Sequence, residues 1–333
     1  MNLGKRRLPL RFIMLALAAC GLLLLNACAN NDSAVEGAAN GKVNVITSFY
    51  PIYFMASEIG GEHAQVTNLI PTGVEPHDWT PKSRDLQNAS NAQLLLVNGA
   101  GFEGWLPDFQ KGLEADSKVK TVEVSKGIAL IKASEEEEHG EEAHHEEEHG
   151  HEDEHGHNHG DIDPHTWISP KSALVMIENV KNALVDADPE HRADYEKNYK
   201  QLKAKLASID EEYMSKLKNA TKRDIVVSHQ AFGYLARDYD LRQHAIMGIS
   251  PDAEPRAQDL LNLAKLVQEK QLKYVFFEEL VSDQLAQTLA SEAKVDTLVL
   301  NPLEGLTQEQ EAAGDNYLTL MERNLQNLLL ALQ

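Results

Sequence analysis

The sequence predicts an α/β protein of two lobes, each built on a parallel sheet, joined by one long helix. Short β-branched runs alternate with helical ones from residue 43, and the same rhythm returns after residue 222. Between the two series lie about 30 residues, 189–218, with no proline or glycine after Pro189. Strands that alternate with helices build βαβ units, and such units pair their strands in parallel under a cover of helices.

Ahead of the first strand the chain reads as an export leader. Lys5, Arg6, Arg7 and Arg11 precede an apolar run over 12–25 that is too short for a comfortable span of about 20 apolar residues. Both cysteines fall here. Leu25-Asn26-Ala27-Cys28 is similar to the lipobox of bacterial lipoproteins, and Cys28 is the preferred lipidation site, which makes 1–27 the signal peptide and 28–42 a small-residue polar tether. Cys20, in Leu17-Ala18-Ala19-Cys20, fits the lipobox better but would leave the apolar run 22–25 on the mature chain. With no other cysteine, the mature chain has no intramolecular disulfide and no thiolate metal site, so a metal would be bound by His and carboxylate.

The N-terminal lobe is expected over 43–188. Strands are predicted at 43–47, 64–70, 93–97 and 120–124, and helices at 51–59 and 81–89, each opened by a proline in its first turn. The connecting helix follows over 189–218, where Tyr195, Tyr199, Leu202, Leu206, Ile209, Tyr213 and Leu217 keep three- and four-residue steps. At about 1.5 Å per residue it can run some 45 Å, as a stiff strut. The C-terminal lobe, 219–333, has strands expected at 224–228, 243–247, 274–278 and 297–300, with helices at 231–239, 255–269, 282–293 and 315–332.

The formal charge is −21, and removing the four basic leader residues makes the mature form −25. Residues 135–163 alone hold fourteen of the acids and no Lys or Arg. Such a surface repels nucleic acid and suits a cation. Within this stretch an insert over 135–160 carries His139, His144, His145, His149, His151, His155, His157 and His159, eight of the fourteen histidines. Imidazole suits borderline cations and carboxylates add attraction, so this low-complexity loop is expected to be disordered without metal and to hold several ions weakly.

Three further histidines sit at strand or loop ends beside small or rigid residues. His77 lies in Glu75-Pro76-His77-Asp78-Trp79-Thr80-Pro81, His165 in Asp163-Pro164-His165-Thr166-Trp167, and His229 directly after the strand Ile225-Val226-Val227-Ser228. The first two share Pro-His-x-Trp, and a proline that presets the loop lowers the entropy lost when metal binds. Asp78 and Asp163 are placed to fix imidazole tautomers, or equally to make local turn hydrogen bonds. Gly99-Ala100-Gly101-Phe102-Glu103-Gly104 matches a dinucleotide fingerprint, but Pro107 stands where the phosphate-binding helix would run, and the segment reads instead as a turn that carries Trp105 towards the lobe interface. His63, His191 and His244 have no motif around them and read as surface or packing residues.

Together with Asn98-Gly99-Ala100-Gly101-Phe102-Glu103-Gly104-Trp105, Ser228-His229-Gln230-Ala231-Phe232-Gly233-Tyr234-Leu235-Ala236-Arg237 and Asn301-Pro302-Leu303-Glu304-Gly305-Leu306-Thr307, the histidine motifs run in order along nearly all of the mature chain. In this the chain resembles the zinc and manganese receptors of bacterial ABC importers. The resemblance implies two (β/α)4-type lobes, one long connecting helix and a metal in the interlobe cleft. It implies His77 and His165 as ligands from the first lobe, and His229 as the third, where manganese-selective members typically have Glu. Glu304 falls at the place of the fourth ligand, with Glu75 or water as the alternatives. Three imidazoles favour Zn²⁺, and Mn²⁺ fits this donor set less well.

The function so implied is extracytoplasmic zinc capture by a lipid-anchored, monomeric receptor that delivers Zn²⁺ to a permease and its ATPase, with the insert as an accessory collector. An enzyme is the competing class, since three histidines and an open position would resemble catalytic zinc. No H-E-x-x-H or comparable pairing supplies a base, and no catalytic residue is expected.

Overall fold

The computed structural model describes residues 41–132, 162–251 and 255–333. In the N-terminal lobe β1 (Val43–Thr47), α1 (Tyr50–Gly60), β2 (Ala64–Asn68), α2 (Ser83–Ser90), β3 (Leu94–Val97), α3 (Leu106–Gly112) and β4 (Lys120–Glu123) alternate along the chain. The strands form one parallel sheet in the order β2-β1-β3-β4. Parallel strands are covered on both faces, and the side chains divide accordingly. Val45, Leu94 and Leu96 face the main core, whereas Ile46, Leu95 and Val97 face a smaller one closed by Ala89, Phe109 and the half-buried Leu86.

Two helices then cross the molecule. α4 (Pro170–Ala187) has Pro170 in its first turn and buries Ala173, Met176, Ile177, Val180 and Leu184. A turn at Pro189–His191 separates it from α5 (Arg192–Leu217), which buries Tyr195, Leu202, Leu206, Ile209, Tyr213 and Leu217. These are the apolar positions expected of the connecting helix, with Tyr199 half-buried at its edge. α4 was not anticipated, because its apolar residues follow directly on the His165 motif with only Pro170 to mark the start.

The C-terminal lobe repeats the pattern with β5 (Asp224–Val227), α6 (Gly233–Tyr239), β6 (Arg242–Ala245), α7 (Ala257–Glu269), β7 (Tyr274–Phe277), α8 (Gln284–Ala293) and β8 (Asp296–Val299). It ends in α9 (Gln308–Ala313) and α10 (Tyr317–Ala331). β5 pairs with β6 and β7 with β8, both in parallel, and the two pairs lie side by side along β5 and β7. Both lobes thus place their first strand inside, flanked by the second and third. Ile225, Val227 and Phe276 face the main core, while Val226 and Val275 face a second, outer one with Val267 and Leu289.

The inner faces of both sheets share one continuous core with α1, α4, α5 and α10. No helix among the described residues is long and apolar enough to cross a membrane.

Candidate metal centre

Open α/β sheets bind ligands beyond the carboxyl ends of their strands, and four side chains meet there. His77 stands on the loop after β2, His165 on the chain after β4, His229 two residues past β5, and Glu304 on the loop after β8. All are buried, His165 and His229 completely. Their potential ligand atoms lie within 4.8 Å of one another. The structure therefore brings together the three histidines and the acid singled out in the sequence.

His165 Nε2 is 3.3 Å from His77 Nε2 and 3.3 Å from His229 Nε2. Glu304 Oε1 is 3.5 Å from His77 Nε2 and 3.6 Å from each of the other two. Neither oxygen of the buried Glu304 carboxylate has a hydrogen-bond partner. A tetrahedral ion with bonds of about 2.0–2.1 Å holds its donors roughly 3.3 Å apart. Three imidazole nitrogens and an unsatisfied carboxylate converging at this spacing match that geometry, and three nitrogens with one oxygen match Zn²⁺.

The surrounding polar groups set the direction in which each imidazole faces. Asp163 Oδ1 accepts the backbone N–H of His165 and lies 2.8 Å from its Nδ1. Glu278, at the carboxyl end of β7, plays the same part for His229. Its carboxylate accepts the His229 N–H at 3.1 Å and sits 2.7 Å from Nδ1. A ring that donates from Nδ1 presents the lone pair of Nε2 to the centre. The adjacent Glu279 accepts hydrogen bonds from Asn301 Nδ2 and Gln310 Nε2, which ties down the loop bearing Glu304. Asp163 makes the ring contact that was one of its two expected roles, whereas Glu278 and Glu279 were not anticipated. The signal available was a pair of acids at the end of an otherwise apolar strand. Asp78 lies on the exposed side of its loop.

Burial opposes charge at His229, Glu304 and Glu75, and the neighbours decide which groups keep it. Burial pulls His229 down, but the Glu278 carboxylate and then Glu304 outweigh it and raise the group well above its ordinary value. Burial pushes Glu304 up, and the imidazoles of His229 and His77 beside it hold it well below the usual carboxylate range. Glu75 is pushed up to about 9, first by burial and then by repulsion from Glu304. Its Oε1 accepts the backbone N–H of His77, so this carboxyl braces the loop, and Glu304 is the acid grouped with the three histidines.

The glycine-rich segment is part of the same frame. Gly99, Ala100 and Gly101 take φ of 79°, 52° and 84°, a left-handed run that folds Glu103 back beneath its own turn. Glu103 accepts from Asn98 N and Gly99 N, and Asn98 holds the His165 loop through Pro164 O and Thr166 Oγ1. Phe102, not Trp105, is the ring this turn delivers to the centre, edge-on to His77 at 5.4 Å and to Trp167 at 4.8 Å. Trp105 packs on Trp79 and Phe109 instead. Pro107 does not block a helix but lies in the first turn of α3.

Across the cleft, Trp167 Nε1 donates to Pro302 O at 2.8 Å, which joins the His165 and Glu304 loops. His63 and His191 stack at 3.9 Å beside Asp194 and Asp188, and His244 faces Asp224 at 2.9 Å, all away from the centre. Cys20, Cys28 and the eight histidines from His139 to His159 lie outside the described residues.

Known proteins similar to this chain include zinc-binding and zinc-uptake proteins. A 39% identical relative, the zinc-binding lipoprotein AdcA of Streptococcus pneumoniae, aligns over 95% of this chain, which spans 60% of that protein's length. The high-affinity zinc uptake system protein ZnuA of Bacillus subtilis is 41% identical, with 95% of each chain covered. The crystal structure of the Zn(II)-bound ZnuA-like domain of Streptococcus pneumoniae AdcA superposes with a TM-score of 0.72 at 36% identity, covering 88% of this chain and 99% of that one. The family model for zinc-uptake complex component A, periplasmic, matches residues 45–331, and the chain belongs to that family.

Proposed function

We propose that this protein is an extracytoplasmic receptor that captures Zn²⁺ through His77, His165, His229 and Glu304 and delivers it to the permease of an ABC importer. The observation that carries this is the buried group of three imidazoles facing one unsatisfied carboxylate at tetrahedral spacing. The names of its relatives support zinc as the cargo. Proteins of this family are transport receptors, not enzymes. Four protein donors also leave no open position of the kind at which catalytic zinc activates water.

Release in this reading happens when docking on the permease parts donors contributed by different lobes. Lipid anchoring through Cys28, with Cys20 as the competing site, would keep the receptor at the membrane. The His- and acid-rich insert, 135–160, would raise the local cation concentration near the cleft. The three domain divisions, 43–188, 189–218 and 219–333, and action as a monomer belong to the same proposal.

The test is metal titration with elemental analysis of the soluble chain lacking 135–160, as wild type and as His229→Ala. One tight Zn²⁺ per chain that outcompetes Mn²⁺, weakened at least tenfold in the variant, is expected. Loss of tight binding on deleting the insert, or an unaffected variant, would leave metal buffering by the insert as the function.

A further inference from the structure

The motif around His229 runs on to Tyr234 and Arg237, eight residues past the ligand, and zinc ligation leaves that extension unused. Both residues stand on α6 of the C-terminal lobe and reach into the N-terminal one. The buried Tyr234 hydroxyl donates to Asp163 O at 2.7 Å and accepts from Ile131 N at 3.3 Å. Arg237 lies over the Tyr234 ring at 5.0 Å, and its guanidinium donates to Ala129 O at 2.6 Å. Asp238, paired with Arg237, also accepts from Ser169 Oγ. The segments so held are the two from which the His-rich insert leaves, joined by the Lys132–Ile162 bridge and by Asp163 N donating to Ile131 O at 2.9 Å.

Asp163 is also the residue whose carboxylate orients His165. We propose that Tyr234, backed by Arg237, is a positioning residue that fixes His165 through Asp163 and couples the His165 loop and the stem of the insert to the helix that follows His229. This rests on the proposed zinc site. The phenol is a rigid spacer between lobes with its hydroxyl between a carbonyl and an N–H, and removing that oxygen leaves the buried Asp163 carbonyl and the part-buried Ile131 N–H with one partner fewer. The Asp163 backbone then loosens, and with it the ring that must hold its angle towards the other donors.

The experiment uses the full mature chain as wild type, Tyr234→Phe, Arg237→Met and Tyr239→Phe. Tyr239, on the same helix, donates its hydroxyl to Asp210 at 2.8 Å, away from the centre, and controls for loss of a shielded hydroxyl. Zinc dissociation into a chelator is measured alongside the visible spectrum of the Co²⁺-loaded protein and the unfolding midpoint of the metal-free form. Expected are dissociation roughly tenfold faster and shifted cobalt bands in Tyr234→Phe, within the range of losses seen when a group behind a metal ligand is removed. Arg237→Met should change less in the same direction, and Tyr239→Phe should leave both readouts at wild-type values. Unchanged dissociation and spectrum in Tyr234→Phe, or equal changes in Tyr239→Phe, overturn the inference, while tight binding by the wild type that survives deletion of residues 135–160 upholds the site. A wild type that binds no zinc tightly overturns both.

Discussion

A histidine that binds metal depends on what stands behind it, and of the proposed ligands the two completely buried ones are each backed by a carboxylate from a different source. Asp163 is two residues from His165, whereas Glu278 is 49 residues from His229. Replacing Glu278 by Gln keeps the volume but allows the amide to offer a donor to Nδ1, which turns the tautomer around and weakens the Nε2 lone pair. Glu278→Gln is therefore expected to lower zinc affinity about 10- to 100-fold without unfolding the chain. Competition against a chromogenic chelator measures it, and an affinity within twofold of wild type would show that the carboxylate acts only as a backbone brace. The same contrast explains what could be read beforehand. His77, His165 and His229 announced themselves through neighbours in sequence, the Pro-His-x-Trp loops and the strand end. Glu278 and Glu279 act on residues far along the chain, so only the fold shows that a Glu-Glu pair at the end of β7 faces two ligand loops. Trp105 was misplaced for a related reason, since a turn of three left-handed residues aims its side chains in directions that spacing does not reveal.

Among the elements, those with a clear apolar period were legible, and those whose proline start falls beside a loop motif were not. α5 carried its apolar stripe openly, while α4 and α3 begin inside motifs that draw attention to loop chemistry. Helix ends offer a sharper test of the energetics. α8 stops at Lys294, an exposed residue with φ of 58° whose N–H returns to Ala290 O and Ser291 O. A left-handed conformation costs a residue with a Cβ about 1–2 kcal/mol, and glycine gives back about 0.4–1 kcal/mol through the freer unfolded chain. Lys294→Gly is thus expected to stabilise the protein by about 0.5–1 kcal/mol. Urea unfolding reads this directly, and a midpoint below wild type would mean that the lysine contributes more than its backbone strain.

At the scale of the whole molecule, the question is whether the lobes are energetically separate bodies. Each has its own sheet and its own outer core, but the inner faces of both sheets, together with α1, α4, α5 and α10, bury one common core. Residues of that core cannot lose one lobe without exposing the inner face of the other, and a cooperative transition follows. Trp79 and Trp105 pack on each other in the N-terminal lobe and Trp167 lies in the shared core with its Nε1 on Pro302 O, so fluorescence reports the first lobe and the cleft while far-ultraviolet circular dichroism reports both lobes. The two probes are expected to give one midpoint in the metal-free protein, and separated midpoints would refute the shared core as the unit of stability. Zinc held by donors from both lobes should then raise the single transition as a whole, by about 2.7 kcal/mol when free zinc is a hundredfold above the dissociation constant. In His229→Ala, which removes a donor from the C-terminal lobe, the zinc-induced shift should shrink in the tryptophan signal as much as in the dichroism, although Trp79 and Trp105 pack in the other lobe.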